Sequence, residues 1–300
     1  MDIRFIDLFA GIGGFRYGLE RCNRRITETS NNEKGYEQPD TNGSNGERWR
    51  TNSYTCVWTN EWDKYASSIY KKHFGECDTR DITKVPSTDI PDHDLLVGGF
   101  PCQAFSIAGK RKGFDDTRGT LFFEIARILR DKRPRYFLLE NVKGLLSHDE
   151  GKTFQTILGV LTDLGYEYSW QVLNSKNFGV PQNRERVFII GNIAGSGRPK
   201  VFPIGRTNEN YTQQTEKLSM PISNTLRTNY SNGKSNETYI GEGEGVKIRR
   251  LTPTECERLQ GFPDRWTEEG MEGKISDTQR YKCLGNAVTT NVITAIMERL

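Results

Sequence analysis

Cys102 stands between Pro101 and Gln103, directly after Gly98-Gly99-Phe100, and few cysteines in such a setting serve as core filling. A thiolate at the carboxyl end of a strand, near cations or the start of a helix, is instead a nucleophile. Glu140 follows the apolar and aromatic run Tyr136-Phe137-Leu138-Leu139. Burial there raises a carboxyl pKa and lets the group hold a proton near neutrality for a substrate nitrogen; the competing reading is a helix cap. Arg184 and Arg186 bracket Glu185 in Pro181-Gln182-Asn183-Arg184-Glu185-Arg186. Alternate residues of a strand share a face, so both guanidinium groups are expected to point at one site, unless the run is a solvated charge cluster.

A second group of residues suits a nucleoside-bearing ligand. Ile3–Phe9 leads into Ala10-Gly11-Ile12-Gly13-Gly14, a glycine turn opening a helix. Such a turn lets a ligand approach the backbone, though it also serves purely structural ends. Asn60-Glu61-Trp62-Asp63 closes the next strand. An acid there suits a ribose diol and an indole offers a flat face to adenine; the alternatives are that Glu61 caps the following helix and Trp62 fills the core.

These groups need a scaffold, and the apolar pattern supplies one. Strands are predicted at Ile3–Phe9, Tyr54–Thr59, Asp94–Val97, Tyr136–Leu139, Tyr168–Leu173 and Arg186–Ile190, the last two able to pair as an antiparallel hairpin. Helical stripes lie between and after them: Leu121, Phe122, Ile125, Ile128 and Leu129; Phe154, Ile157, Leu158, Leu161 and Leu164; Val288, Val292, Ala295 and Ile296. Strands alternating with helices predict an α/β fold with a parallel sheet and helices on both faces. In an open parallel sheet, ligands bind beyond the carboxyl ends of the strands, so the glycine turn, the thiol and the acid are expected on one rim.

Two stretches break the rhythm. Residues 24–53 are rich in Asn, Glu, Thr, Ser and Gly and form a polar insertion within a catalytic and cofactor-binding domain spanning 1–191. Residues 192–270 begin as another polar stretch and are assigned to a small loop- and strand-rich domain, after which 271–300 return as helices to the first domain. The six cysteines are scattered, without a CxxC pair or a nearby His at ligand spacing, so neither a metal site nor a disulfide framework is expected. No apolar run approaches the roughly 18 residues of a membrane span, and a cytoplasmic location is the default. The net charge of +3 is compatible with a polyanionic partner without requiring one.

Taken in order, the motifs resemble those of the bacterial and phage DNA cytosine-5 methyltransferases over nearly the whole chain. They are DLFAGIGGF (7–15), NEWD (60–63), DI (81–82), GGFPCQAFS (98–106), ENV (140–142), QNRER (182–186), RRLTPTECERLQGFPD (249–264) and GNAV (285–288). The stretch GKRKGFDDTRGTLFFEIARIL (109–129) is similar to the family's mobile catalytic loop and the helix after it.

The resemblance implies a Rossmann-like S-adenosylmethionine-dependent sheet and a target-recognition domain at 192–270. It also implies roles. Cys102 adds to C6 of cytosine, protonated Glu140 hydrogen-bonds N3, and C5 takes the methyl group before proton loss and cysteine departure restore the ring. Arg186, with Arg184, supports the flipped base and Glu140. Phe9, Ala10, Gly11, Gly13, Gly14, Glu61, Trp62, Asp81, Ile82, Pro101, Asn286 and Ala287 hold the cofactor. Gln103, Ser106 and Thr225 contact the DNA, from which the base must be extruded because C6 is inaccessible in a duplex. The partners implied are double-stranded DNA and a cognate restriction endonuclease, with the enzyme a monomer.

From Gly191 to Pro221 there are only about thirty residues before family-like sequence resumes, fewer than in many relatives, which implies a short target or loose specificity. Three rivals stand beside this reading. An RNA methyltransferase of a eukaryotic branch carries extra cysteines in a motif not found here. A DNA-binding relative without catalysis does not need Pro-Cys-Gln, Glu-Asn-Val and Gln-x-Arg-x-Arg intact. Hydride transfer on a nicotinamide leaves Cys102 unexplained.

Overall fold

The computed structural model describes residues 1–31, 52–101, 121–195, 201–204, 223–224, 239–242 and 247–300. Its centre is a six-stranded sheet. The strands are β1 (Asp2–Leu8), β2 (Ser53–Asn60), β3 (Leu95–Gly99), β4 (Tyr136–Val142), β5 (Tyr166–Asn174) and, beyond the short β6 (Gln182–Asn183), β7 (Glu185–Ile193), in the order β2-β1-β3-β4-β7-β5. The first four run parallel, and β7 is antiparallel to both β4 and β5. The expected pairing of the last two strands is present, joined by residues 175–184 instead of a tight turn.

Side-chain alternation explains the two layers of helices. Ile6, Leu8, Leu96 and Leu139 meet Phe122, Ile125 and Leu129 of α3 (Leu121–Lys132) and Phe154, Ile157 and Leu161 of α4 (Lys152–Asp163). The intervening residues Phe5, Val97 and Leu138 face the other way. They meet Phe15 and Leu19 of α1 (Gly14–Asn31) and Val292, Ile293 and Ile296 at the C-terminus. Each such leucine, isoleucine or phenylalanine contributes roughly 1.5–3 kcal/mol by leaving water. Helices therefore cover both faces, as the alternating pattern predicts. α1 continues to Asn31, so the polar insertion starts inside a helix; residues 32–51 lie outside the described residues.

A third cluster locks the C-terminal region onto the glycine turn. It joins Ile12 to Ala66 and Ile69 of α2 (Lys64–Phe74), to Cys256 and Leu259 of α5 (Pro253–Leu259), to Leu284 of α6 (Asp277–Asn286), and to Phe262 and Trp266. α5 starts with Thr252 and Glu255 satisfying each other's backbone N–H groups and with Pro253 in its first turn, where the missing donor costs nothing. The last helix is α7 (Thr290–Met297). Smaller strands pair outside the main sheet: β8 (Ser223–Asn224) with β6, β9 (Tyr239–Glu242) with β10 (Lys247–Arg250), and β11 (Glu269–Gly270) with β12 (Gly273–Lys274). Among the described residues no helix is long and apolar enough to cross a membrane.

Candidate active site

β4 does not stop at Leu139 as its apolar run suggests. β7 continues to pair with it as far as Val142 opposite Arg186, so Glu140 is a strand residue. On its other side Gly99 of β3 is its register partner. A Cβ on Gly99 would stand 3.1 Å from Glu140 Oε2, so a bare backbone at 99 is what leaves the carboxyl its room.

Arg186 approaches from β7. Its Nε lies 3.0 Å from Glu140 Oε1, and the two side chains are only 14% and 12% exposed. Burial pushes the Glu140 carboxyl up, while the charges of Arg186 and Arg184 and the hydrogen bond from Arg186 oppose that rise. Burial pulls Arg186 down, with Glu140 opposing. A largely dry carboxyl whose burial favours its protonated form, with a guanidinium beside it, is suited to deliver a proton to a ring nitrogen.

The alternating spacing of QNRER brings Arg186 to the acid, but the donors of Arg184 go elsewhere. Arg184 is 2% exposed, and its Nη2 donates to the carbonyls of Ala287 at 2.7 Å and Gly285 at 3.2 Å. Its charge still bears on Glu140. Two positions earlier, the amide of the fully buried Gln182 donates to the Leu259 carbonyl at 2.8 Å. One run of alternate side chains thus fastens α5, the end of α6 and the acid to the same strand edge. The charge is not a solvated cluster.

The loop after β3 is held by Asn141, whose amide donates to the Phe100 carbonyl at 2.9 Å. Phe100 is buried and Pro101 exposed. Cys102, Gln103, Ser106 and Thr225 lie outside the described residues.

The glycine turn is anchored by an acid. Glu61, 7% exposed, accepts the Gly11 N–H at 2.8 Å on Oε2 and the Asp63 N–H at 2.7 Å on Oε1. Burial raises its pKa, and these two backbone donors counter it. Capping of α2 falls to Asp63, which accepts from Tyr65 and Ala66 and pairs with Lys282 of α6 at 2.7 Å. Trp62 is no core residue: it is 71% exposed.

Around this anchor the remaining residues fall into place. Phe9 turns the chain with φ +56°, and Ala10 donates to the Asn60 carbonyl at 3.2 Å. Gly13 packs against Phe74 and Gly14 against Val288, where side chains would collide. The side-chain amide of Asn60 donates to the carbonyls of Asp78 and Arg80, leading to Asp81, which accepts from Thr83, and to the buried Ile82. Asn286 is exposed at the end of α6, and Ala287 is buried.

Two linked sets therefore emerge: Gly11, Glu61, Asp63 and Lys282 form one, and Glu140, Arg186, Arg184 and the 285–287 carbonyls the other. Both end on α6. Gln182, Asn141 and Asp63 appear in the sequence only as members of motifs, without a role, and Trp266 is missed altogether. The Trp266 indole donates to the Ile12 carbonyl at 3.0 Å and steadies the glycine turn. Strand alternation and adjacency to Glu140 are local signals for Gln182 and Asn141. Trp266 has none, because its partner is more than 250 positions away.

Residues 3–228 and 201–300 match the family model for C-5 cytosine-specific DNA methylase. The Type II methyltransferase M.SsoII of Shigella sonnei is 37% identical over 346 aligned residues, covering 99% of this chain and 79% of that protein. The Type II methyltransferase M.HhaI of Haemophilus parahaemolyticus is 36% identical over 335 aligned residues, covering 97% and 92%. Among solved structures, the S. pombe Dnmt2 methyltransferase superposes with a TM-score of 0.70 over 99% of this chain and 97% of its own, at 20% identity, a likeness of fold.

Proposed function

The chain belongs to the C-5 cytosine-specific DNA methylase family, and on that premise we propose that it transfers a methyl group from S-adenosylmethionine to C5 of a flipped-out cytosine in duplex DNA. The observation that carries this reading is the nearly buried Glu140–Arg186 pair, its acid in register with Gly99, which stands three residues before Cys102 in the sequence.

The residues near the glycine turn fit the cofactor. Among the described residues no atom lies within 4 Å of where a Cβ on Gly11 would stand, so the turn offers an open cradle. Glu61 borders it as a carboxyl for ribose hydroxyls, and the exposed indole of Trp62 is available to adenine. Phe9, Ala10, Gly13, Gly14, Asp81, Ile82, Pro101, Asn286 and Ala287 complete the assignment. Bound there, S-adenosylmethionine supplies an electrophilic methyl group on a sulfonium.

The protein's own part follows from its side chains. The Cys102 thiolate forms a bond to C6 of cytosine, while Glu140 donates its proton to N3 and the ring electrons are pushed to C5. Arg186 holds Glu140 and faces the charge that develops on the base. After methylation a water molecule takes the C5 proton, the electron pair of that C–H bond restores the C5–C6 double bond and expels the Cys102 thiolate, and N3 returns its proton to Glu140. Gln103, Ser106 and Thr225 are assigned to the DNA, and 192–270 to target recognition. We further assign a monomer, a cytoplasmic location and a partner restriction endonuclease.

Bisulfite sequencing of a host expressing the protein, beside a Cys102→Ser control, tests the reaction. Methylation at a short consensus in the first and none in the second is the expected result. Equal methylation in both overturns the mechanism, and a strict consensus of five or more bases overturns the short target. Tritiated transfer to tRNA in preference to duplex DNA would replace the substrate.

A further inference from the structure

We propose that Arg184 is a positioning residue that fastens the cofactor-side segment Gly285–Ala287 to the start of β7, the strand that presents Arg186 to the catalytic acid Glu140. The inference rests on the methyltransferase reading above and assigns Arg184 a place in that reaction without contact to the base.

The geometry is specific. α6 ends at Asn286, and the last carbonyls of a helix lack partners within it and carry the negative end of its dipole. Arg184 meets two of them, Gly285 and Ala287, one on each side of Asn286. Its backbone is pinned as well. The N–H donates to the Gln182 carbonyl at 3.0 Å and to Asn174 Oδ1 at 3.2 Å, and the carbonyl accepts from the Ser175 N–H at 3.0 Å. Nothing in this arrangement leaves the side chain free to swing toward a substrate. A guanidinium suits the place because its Nη2, which meets both carbonyls, stands one bond farther from the backbone than a lysine Nζ reaches.

The same cation is electrically part of the acid's surroundings. Around Glu140, β7 presents Arg186 and the register partner Phe188, and β3 presents Gly99, with Phe15 of α1 beyond it. The next charged residues along β4 and β7, Lys143 and Glu185, are exposed and pair with each other at 2.9 Å. Among the described residues, Arg186 and Arg184 are therefore the charges that act on the acid, and both favour its ionised form. A shift of the 285–287 segment carries Arg184 with it and changes how firmly Glu140 keeps its proton.

The test uses Arg184→Gln, which removes the charge, and Arg184→Lys, which keeps the charge but ends one bond short of the two carbonyls. Two quantities are measured on the full-length proteins. One is the pH profile of single-turnover tritiated methyl transfer to unmethylated plasmid DNA, and the other is the calorimetric affinity for S-adenosylhomocysteine without DNA. Transfer requires protonated Glu140, so the rate falls on the alkaline side as the acid ionises. Loss of the Arg184 charge is expected to move that limb upward by about one pH unit in Arg184→Gln and to leave it in place in Arg184→Lys. Both variants are expected to bind S-adenosylhomocysteine about tenfold more weakly.

An unmoved limb in Arg184→Gln, or wild-type ligand affinity in either variant, overturns the proposal. Should Arg184→Gln fail to fold, Arg184→Lys decides alone: weaker binding with the limb unmoved supports it, and any other pairing overturns it. Failure of the wild-type protein to methylate cytosine would instead sink the underlying reading, so the two failures are told apart.

Discussion

Glu61 is a buried glutamate and Glu140 a nearly buried one at the same rim of one sheet, and they are satisfied in opposite ways. Glu61 accepts two backbone N–H groups, from Gly11 and Asp63, and both oxygens are engaged by neutral donors. Glu140 faces the guanidinium of Arg186 and carries a second cation nearby. Burial raises both pKa values. Backbone donors fix a loop and do not titrate, so Glu61 is built to hold shape. An ion pair in so dry a site can pass between charged and neutral forms, which is what the proposed reaction asks of Glu140. In that proposal one acid shapes the pocket and the other works in it.

The sharpest way to break that contrast is Glu140→Gln. The amide keeps the shape and cannot donate an acid proton, so single-turnover methyl transfer should drop by about 10²–10⁴-fold while the melting temperature stays near wild type. Transfer within a few-fold of wild type would remove Glu140 from the chemistry.

Arg186→Ala leaves the acid without its close cation. Breaking a buried pair costs about 3–5 kcal/mol when the remaining group stays charged, and less when it can neutralise. The folded-state pKa of Glu140, already raised, rises further in the variant. The stability that a raised carboxyl contributes is fully present below its unfolded value and is lost as pH climbs through the folded one. Urea unfolding should therefore show the variant's deficit widening from pH 5 to pH 8, and a deficit independent of pH would contradict the pairing.

Glu61→Gln sharpens the other half. An amide offers one oxygen for two N–H groups and turns its NH₂ toward the second, at a cost of about 1–3 kcal/mol. Calorimetric affinity for S-adenosylhomocysteine should fall more than the saturated rate does. A fall in rate with affinity kept would assign Glu61 to catalysis instead.

Trp62→Ala is the mildest. The side chain is largely exposed, so folding stability should change by no more than about 0.5 kcal/mol. Ligand affinity should still weaken by about tenfold if the ring stacks on adenine. Unchanged affinity would leave Trp62 without a role.

Much of this frame is legible from residue types. The alternation of Phe5, Ile6 and Leu8 foretells a sheet covered on both faces, and the apolar run before Glu140 foretells a desolvated acid. The edges of elements are less legible: the β4 run reads as ending at Leu139, yet pairing with β7 carries it to Val142. Hydrogen bonding to a neighbour decides where a strand stops, and local composition does not encode the neighbour. Trp62 and Glu61 show the same limit. An indole beside an acid reads equally well as core and cap or as pocket, and only the packed structure leaves Trp62 outside and hands the capping to Asp63.

The chain by itself determined the residue chemistry, the two faces of the sheet and the family, because apolar periodicity and ordered motifs are local properties of the polymer. Tertiary structure alone decided the partners of each polar group. Period-two alternation states which side of a strand Arg184 and Arg186 occupy, but not that Glu140 waits opposite one and a helix end, about a hundred residues further along, opposite the other. Such contacts depend on which elements pack together, and that choice belongs to the whole core.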